Sequence, residues 1–261
     1  MSGIIEGYCY DIFISCRQKD DEGDRWVSEF VKALILILLL FLSANCRNTS
    51  HNNSDSMQPY DGYPLLGSKA EVLEHLRGRC IDTLRFNPGD IVADVGAGNG
   101  YIESMLSVFH DSLTFYIQDI DTGVCNQKSI TETVSFYQNV KGKPIKNKFI
   151  SVIGTDNETN LPDDTFDKIL MLWTYQYFKN PNAIMTDLRL KLKNDGLLYI
   201  INPNIDYESG IQLTAEHGWD ASPIEKEIND IIHCGFELVN ISRNNYCCEN
   251  PYILVFKKRI K

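Results

Sequence analysis

The chain has 261 residues, 43% hydrophobic and 23% charged, which suits one large globular domain or one domain with an appendage. Its formal net charge of −10 excludes a general electrostatic grip on nucleic acid, which needs a basic footprint. The eight cysteines (Cys9, Cys16, Cys46, Cys80, Cys125, Cys234, Cys247 and Cys248) include no Cys-x-x-Cys pair, so neither a zinc site nor a disulfide framework is expected.

Three short pieces precede the main domain. In residues 1–32, the run Tyr10–Cys16 alternates and is β-rich, which predicts a strand. Trp26, Val27, Phe30, Val31 and Leu34 then recur at helical spacing. The pair resembles the opening strand and helix of a TIR domain. The rest of such a domain, with its catalytic glutamate, does not follow, so the fragment is expected to carry no TIR activity. In residues 33–46, the ten apolar residues Ala33–Leu42 are too few for a comfortable span, which takes about twenty. They suit a signal or anchor segment, and Ser43-Ala44-Asn45-Cys46 resembles a bacterial lipoprotein cleavage box with Cys46 as the lipidated residue. A buried helix is the plainer alternative. Residues 47–62 are rich in Asn, Ser and Asp, the composition of a solvated linker. The expectation is membrane attachment through residues 33–46, or a cytoplasmic domain if the leader is foreign to it.

From residue 63 to 261 helix and strand signals alternate. Ser68 and Glu71 form a capping box, and Val72, Leu76 and Cys80 continue one helix face. Pro88-Gly89 breaks the chain before a strand at 90–95, and a helix starts near 100. A strand at 114–118, a helix around 122–138 and a strand at 148–153 follow. A strand at 167–172 leads to a helix opened by Asn182 and closed by Gly196, before a strand at 197–201. Ser222-Pro223-Ile224-Glu225 opens a helix whose buried stripe is Ile224, Ile228, Ile231 and Ile232, and Gly235 ends it. Strands at 236–241 and 251–257 close the chain. Five β-α units with apolar strands imply a mostly parallel α/β sheet covered by helices on both faces, and the close final pair implies one antiparallel strand.

The stretch "IVADVGAGNGY" over residues 91–101 places an acid and three alternate glycines after the domain's first strand. In open α/β sheets ligands bind beyond the carboxyl ends of the strands, and glycine lets a ligand press against backbone. The spacing Gly96, Gly98, Gly100 departs from the dinucleotide fingerprint, which would put glycine where Tyr101 stands. Asp94 beside this loop disfavours a pyrophosphate and suits an ammonium group. Asp119, ending the next strand, stands where a carboxylate can accept the two hydroxyls of a ribose. The ligand implied has a ribose, a cationic amino-acid end and no phosphate.

With "FYIQDID", "VIGTDNETNLPDDTFDKILM", "LKNDGLLYIINP" and "CGFELV…PYILVFKK", this stretch resembles the class I S-adenosylmethionine-dependent methyltransferases of small-molecule type, over residues 65–258. The resemblance implies a Rossmann-like, seven-stranded, mostly parallel sheet whose last strand is antiparallel. It implies S-adenosylmethionine as cofactor, with Asp94, Gly96, Ala97, Gly98 and Gly100 lining its methionine part. Asp119 would hold the ribose, Ile120 would pack on the adenine, and Asp156 or Asn157 would accept from the adenine amine. It also implies a small-molecule or lipid-like methyl acceptor. Methyl transfer is an in-line displacement, so no nucleophile or metal is required. Relatives often carry Asp-x-Tyr-His-His after the fourth strand. Here the segment reads Trp173-Thr174-Tyr175-Gln176-Tyr177, without the histidines. Trp173, Tyr175 and Tyr177 are either an aromatic wall for the acceptor or core aromatics. His217, and with it Tyr207, in the insert 203–221 is a candidate to reach the pocket, His217 as a base. The Asn-Pro-Pro-Tyr motif of amino-group DNA methyltransferases is absent, so a small molecule and not a nucleic acid is the expected partner. Two alternatives stay open: a cofactor-binding protein whose catalysis has lapsed and, against the glycine spacing, a nicotinamide oxidoreductase. The basic residues Arg17, Lys19, Arg25 and Lys32 ahead of the apolar run would put the domain outside the cytoplasm, away from this cofactor.

Overall fold

The computed structural model describes residues 64–79, 81–202, 224–243 and 252–260. The TIR-like fragment, the apolar segment, the linker, Cys80 and the insert containing Tyr207 and His217 lie outside the described residues. Cys125 and Cys234 are free thiols. Among the described residues no helix is long and apolar enough to cross a membrane, and no cluster of His, Cys, Asp and Glu could hold a metal.

Helix α1 (Lys69–Gly78) starts as its sequence requires: the Glu71 N–H donates to Ser68 Oγ at 3.2 Å, and the Ser68 N–H donates to the Glu71 carboxylate at 2.9 Å. Strand β1 (Ile91–Val95) is buried from Val92 on and leads into α2 (Tyr101–Phe109), of which only Ile102 and Phe109 are not buried. Next come β2 (Thr114–Asp119), α3 (Gln127–Lys141) and β3 (Lys148–Ile153). Asn126 caps the start of α3, accepting from Ser129 N–H at 3.0 Å. Strand β4 (Phe166–Leu172), α4 (Pro181–Lys191), β5 (Leu192–Asn202), α5 (Ile224–His233), β6 (Phe236–Arg243) and β7 (Tyr252–Lys258) complete the domain.

The strands form one sheet in the order β3-β2-β1-β4-β5-β7-β6. Strands β1 to β5 pair in parallel, and β7 is antiparallel to both β5 and β6. The last strand therefore runs as expected, inserted between β5 and β6. Two apolar clusters cover the two faces. Val92, Met105, Leu106, Phe115, Ile117, Ile130 and Tyr137 fill one. Ala93, Val95, Ile169, Met171, Ile184, Leu188, Leu198, Ile231 and Phe256 fill the other. At the amino edge of β1 the buried Lys168 ammonium donates to Asp90, each offsetting the desolvation of the other.

Several boundaries differ from the expectation: α3 begins at Gln127 rather than near 122, and α4 begins at Pro181 with Asn180, not Asn182, as its N-cap. Helix α4 ends at Lys191, and Gly196 lies inside β5. Phe166 pairs with Leu192 but Lys168 pairs with Leu197, so the intervening residues of β5 bulge out before the ladder resumes. A Cβ at Gly196 would stand 2.7 Å from the Phe166 carbonyl oxygen, so close strand approach explains this glycine. Gly235 does end its helix, with φ of +91°. Its carbonyl accepts from Arg259 N–H at 2.9 Å and Arg189 Nε at 3.2 Å. Gly235→Ala should therefore destabilise the domain by about 1–2 kcal/mol, the cost of a left-handed L-residue. Urea denaturation of the two proteins checks this.

Candidate functional site

Strand order reverses at β1, which has β2 on one side and β4 on the other, and the crevice of such a sheet opens there. The loop leaving β1 occupies it. Gly96, Gly98 and Gly100 all have positive φ, at +81°, +55° and +72°. The N–H groups of Gly96 and Ala97 donate to the Gln118 carbonyl at 2.8 and 3.0 Å, and Gly100 N–H donates to the Ala97 carbonyl at 3.0 Å. A Cβ at Gly96 would overlap the side chain of Thr174, so the glycine is a notch that admits the segment leaving β4.

Asp119 closes the loop from the side. One carboxylate oxygen accepts from Gly98 N–H at 2.9 Å, and the other accepts from Ile120 and Asp121 N–H at 2.7 and 3.0 Å. A carboxylate offers about four lone-pair positions. Three backbone donors leave room for one ligand hydroxyl, so Asp119 is first a clamp on the loop. Ile120 beside it is 54% exposed, an apolar face held open at the crevice. Asp156 and Asn157 are engaged with the start of α4: Lys179 Nζ donates to Asp156 at 2.8 Å and Asn180 Nδ2 to Asn157 Oδ1 at 2.6 Å. Thr155 Oγ1 accepts from the Asn157 N–H at 3.2 Å and shapes their turn.

The segment after β4 carries the aromatic residues. Trp173 has φ of +57°, costly for a bulky residue, and its N–H donates to the Ile201 carbonyl at 2.8 Å. The Arg79 guanidinium lies 4.4 Å from its ring centroid. Tyr175 to Tyr177 form a short 3₁₀ turn. Tyr175 is half-buried against Phe178, whereas Tyr177 is 53% exposed. None of these aromatics belongs to the fully buried core. Gln176, which the sequence reading passed over, donates from Nε2 to the Trp173 carbonyl at 2.8 Å, and its Oε1 is buried with no donor.

Beneath the glycine loop lies a second residue that the sequence reading passed over. Glu103, in the first turn of α2, is 0% exposed, and Asp94 is 2% exposed. The two carboxyls are within hydrogen-bonding reach of each other. Asp94 Oδ1 and both Glu103 oxygens have no donor. Burial, then the adjacent Glu103, then Asp119 push the Asp94 carboxyl well above the usual carboxylate range. Burial likewise raises Glu103. A signal for Glu103 was present: "YIESMLSVF" is otherwise uncharged, so a helix buried on all sides would have to bury its acid.

Unpaired buried acceptors thus gather at this end of the sheet, on Asp94, Asn99, Glu103 and Gln176. A ligand bearing an ammonium and hydroxyl groups supplies the donors they lack. With the notched loop and the exposed Ile120, the residues fit a nucleoside with a cationic amino-acid end.

Comparison with known proteins agrees. Residues 93–200 match the family model described as a methyltransferase domain. Solved structures of like fold include a chain of the Haloferax volcanii complex between the Trm112 methyltransferase activator and a methyltransferase. It has 12% identity and a TM-score of 0.55, covering 74% of this chain and 94% of that one. An S-adenosylmethionine-dependent methyltransferase from Methanosarcina mazei has 17% identity and a TM-score of 0.52, covering 69% and 98%. One from Aquifex aeolicus has 16% identity and a TM-score of 0.50, covering 72% and 97%. No curated protein matches by sequence. Residues 93–200 thus match a methyltransferase domain, and the fold is the one shared by these S-adenosylmethionine-dependent methyltransferases.

Because the folded state raises both carboxyls, their contribution to stability is fully present below the ordinary carboxyl range and is lost as pH rises through the raised values. Glu103→Gln removes one acid and offers Asp94 a donor. Its advantage over the parent should grow from pH 5 to pH 8, reaching on the order of 1 kcal/mol, about 2–4 °C for a domain of this size. Scanning calorimetry across that range measures it.

Proposed function

We propose that this domain methylates a small-molecule acceptor that meets the donor against Trp173 and Tyr175. The observation that carries this reading is the seating of Thr174 in the Gly96 notch, which locks the aromatic segment onto the cofactor loop. When bound, S-adenosylmethionine supplies a methyl group on a sulfonium, ready for in-line displacement. The chain's own part is to hold and align. The backbone of Gly96 to Gly100 and the carboxyl of Asp94 receive the amino-acid end. Asp119 fixes the loop and offers its remaining lone pair to a ribose hydroxyl, and Ile120 gives the base an apolar face. Trp173, oriented by its N–H bond to Ile201 and by Gln176, presents a ring suited to an apolar or cationic acceptor. The aromatic segment Trp173–Phe178 contains no His, Cys, Lys, Asp or Glu, so acceleration there comes from proximity and orientation.

A second reading is a donor-binding protein whose catalysis has lapsed. The observation favouring it is the aromatic segment itself: in place of paired histidines it has a Gln176 amide tied to backbone and an exposed Tyr177.

Isothermal calorimetry with S-adenosylhomocysteine, followed by transfer of radiolabelled methyl to a panel of amine, phenol and thiol acceptors, separates the two. The methyltransferase reading expects binding and turnover. Trp173→Ala should then lower turnover by about tenfold or more and leave S-adenosylhomocysteine binding within about threefold. Binding without turnover across the panel supports the lapsed reading, and no binding overturns both.

A further inference from the structure

Glu103 takes no part in the proposed methyl transfer, and its placement is costly. A fully buried carboxylate without a donor is among the most expensive groups a fold can hold. Here it faces a second buried acid, Asp94, at the base of the loop that receives the donor. Two carboxyls in contact away from water do not both ionise, because like charges repel strongly where the dielectric is low. The pair therefore keeps one proton, which supplies the missing donor between them.

The surroundings leave that proton in place. The charges acting on Asp94 are those of Glu103 and Asp119, both negative. From α1, His75 packs edge-on against Tyr101, and burial lowers it to about 4, so it is neutral at pH 7. From α3, Tyr137 is raised by burial and is also neutral. Lys141, on the same helix, is committed to the Ser107 carbonyl and Asp111, both at 2.6 Å, at the far end of α2. Arg79, beyond α1, lies over the Trp173 ring. Among the described residues no other cation acts on the pair, so the one able to change the balance is the one that arrives in the glycine loop.

We propose that Glu103 belongs to the donor site: it shares one proton with Asp94 in the empty domain, and the pair gives that proton up when the cationic amino-acid end of the donor binds. The step balances simply. The O–H bond of the shared carboxyl breaks, the proton passes to solvent, and the ligand ammonium compensates the second negative charge. Nothing is oxidised or reduced. Glu103 acts through Asp94 and is a positioning residue, one that makes donor affinity depend on pH. This inference rests on S-adenosylmethionine being the cofactor.

The test uses the full chain and S-adenosylhomocysteine, whose amino-acid end is the same. Calorimetric titration at pH 7 in phosphate, HEPES and Tris, which differ in ionisation heat, counts the protons exchanged. The expected result is release approaching one proton per complex, with affinity rising by up to about tenfold per pH unit between pH 6 and 8. Glu103→Gln should abolish the release, flatten the pH profile and bind at pH 6 at least as tightly as the parent. Asp94→Asn should weaken binding at every pH. Binding with no proton release by the parent overturns this inference and leaves the cofactor assignment standing. Absence of any binding overturns both. The parent titration alone decides the point should a variant fail to fold.

Discussion

The bonds from Asp119 to the backbone N–H groups of Gly98, Ile120 and Asp121 are the constraint on which the rest of the site depends. They join Gly98 in the loop after β1 to the end of β2, adding to the bonds that the Gly96 and Ala97 N–H groups make to the Gln118 carbonyl. An ionised acceptor makes such bonds stronger than neutral pairs. With the loop held, Gly96 presents a notch, Thr174 fills it, and the aromatic segment after β4 gains a fixed position. The glycine loop and the aromatic segment are thereby parts of one interlocked unit.

The same region departs from the rules that the rest of the domain follows. Elsewhere buried charges are paired: Lys168 with Asp90, Lys141 with Asp111, and Lys191 with Asp163 at 2.7 Å and Asp187 at 3.2 Å. At the carboxyl edge of the sheet, Asp94 and Glu103 face each other without a cation, and Trp173 holds a left-handed backbone. Local departures of this kind gather where a fold is shaped for a ligand rather than for its own stability. Perturbed carboxyls in a cleft point the same way.

A separate polar network lies further along that edge. Tyr252 Oη donates to Glu227 at 2.7 Å, and Asn202 at the end of β5 lies 3.5 Å from the Tyr252 hydroxyl. It ties α5 to β5 and β7 and gives the Glu227 carboxyl a donor, although Asn202 Oδ1 has none; the carboxyls beneath the loop have no such donor. Burial is therefore not what sets Asp94 and Glu103 apart; the missing donor is.

By itself the sequence determined the local features. Capping residues, glycines at helix ends, apolar strands and the spacing of Asp94, Gly96, Gly98, Gly100 and Asp119 are read from neighbours along the chain, where turn chemistry and periodicity act. Even the antiparallel last strand was legible, because the chain between β6 and β7 is too short for a crossover helix. What only the tertiary structure decided is which groups meet when the elements pack together. Glu103 became the partner of Asp94 because α2 folds back on β1. Gly96 became a notch because Thr174 arrives from β4, and Asp156 and Asn157 turned toward Lys179 and Asn180. Gly196 ended up within a strand because β5 begins early and bulges. Periodicity tells which face of an element is buried; it does not tell what that face is buried against, and the chemistry of this site lies in that second choice.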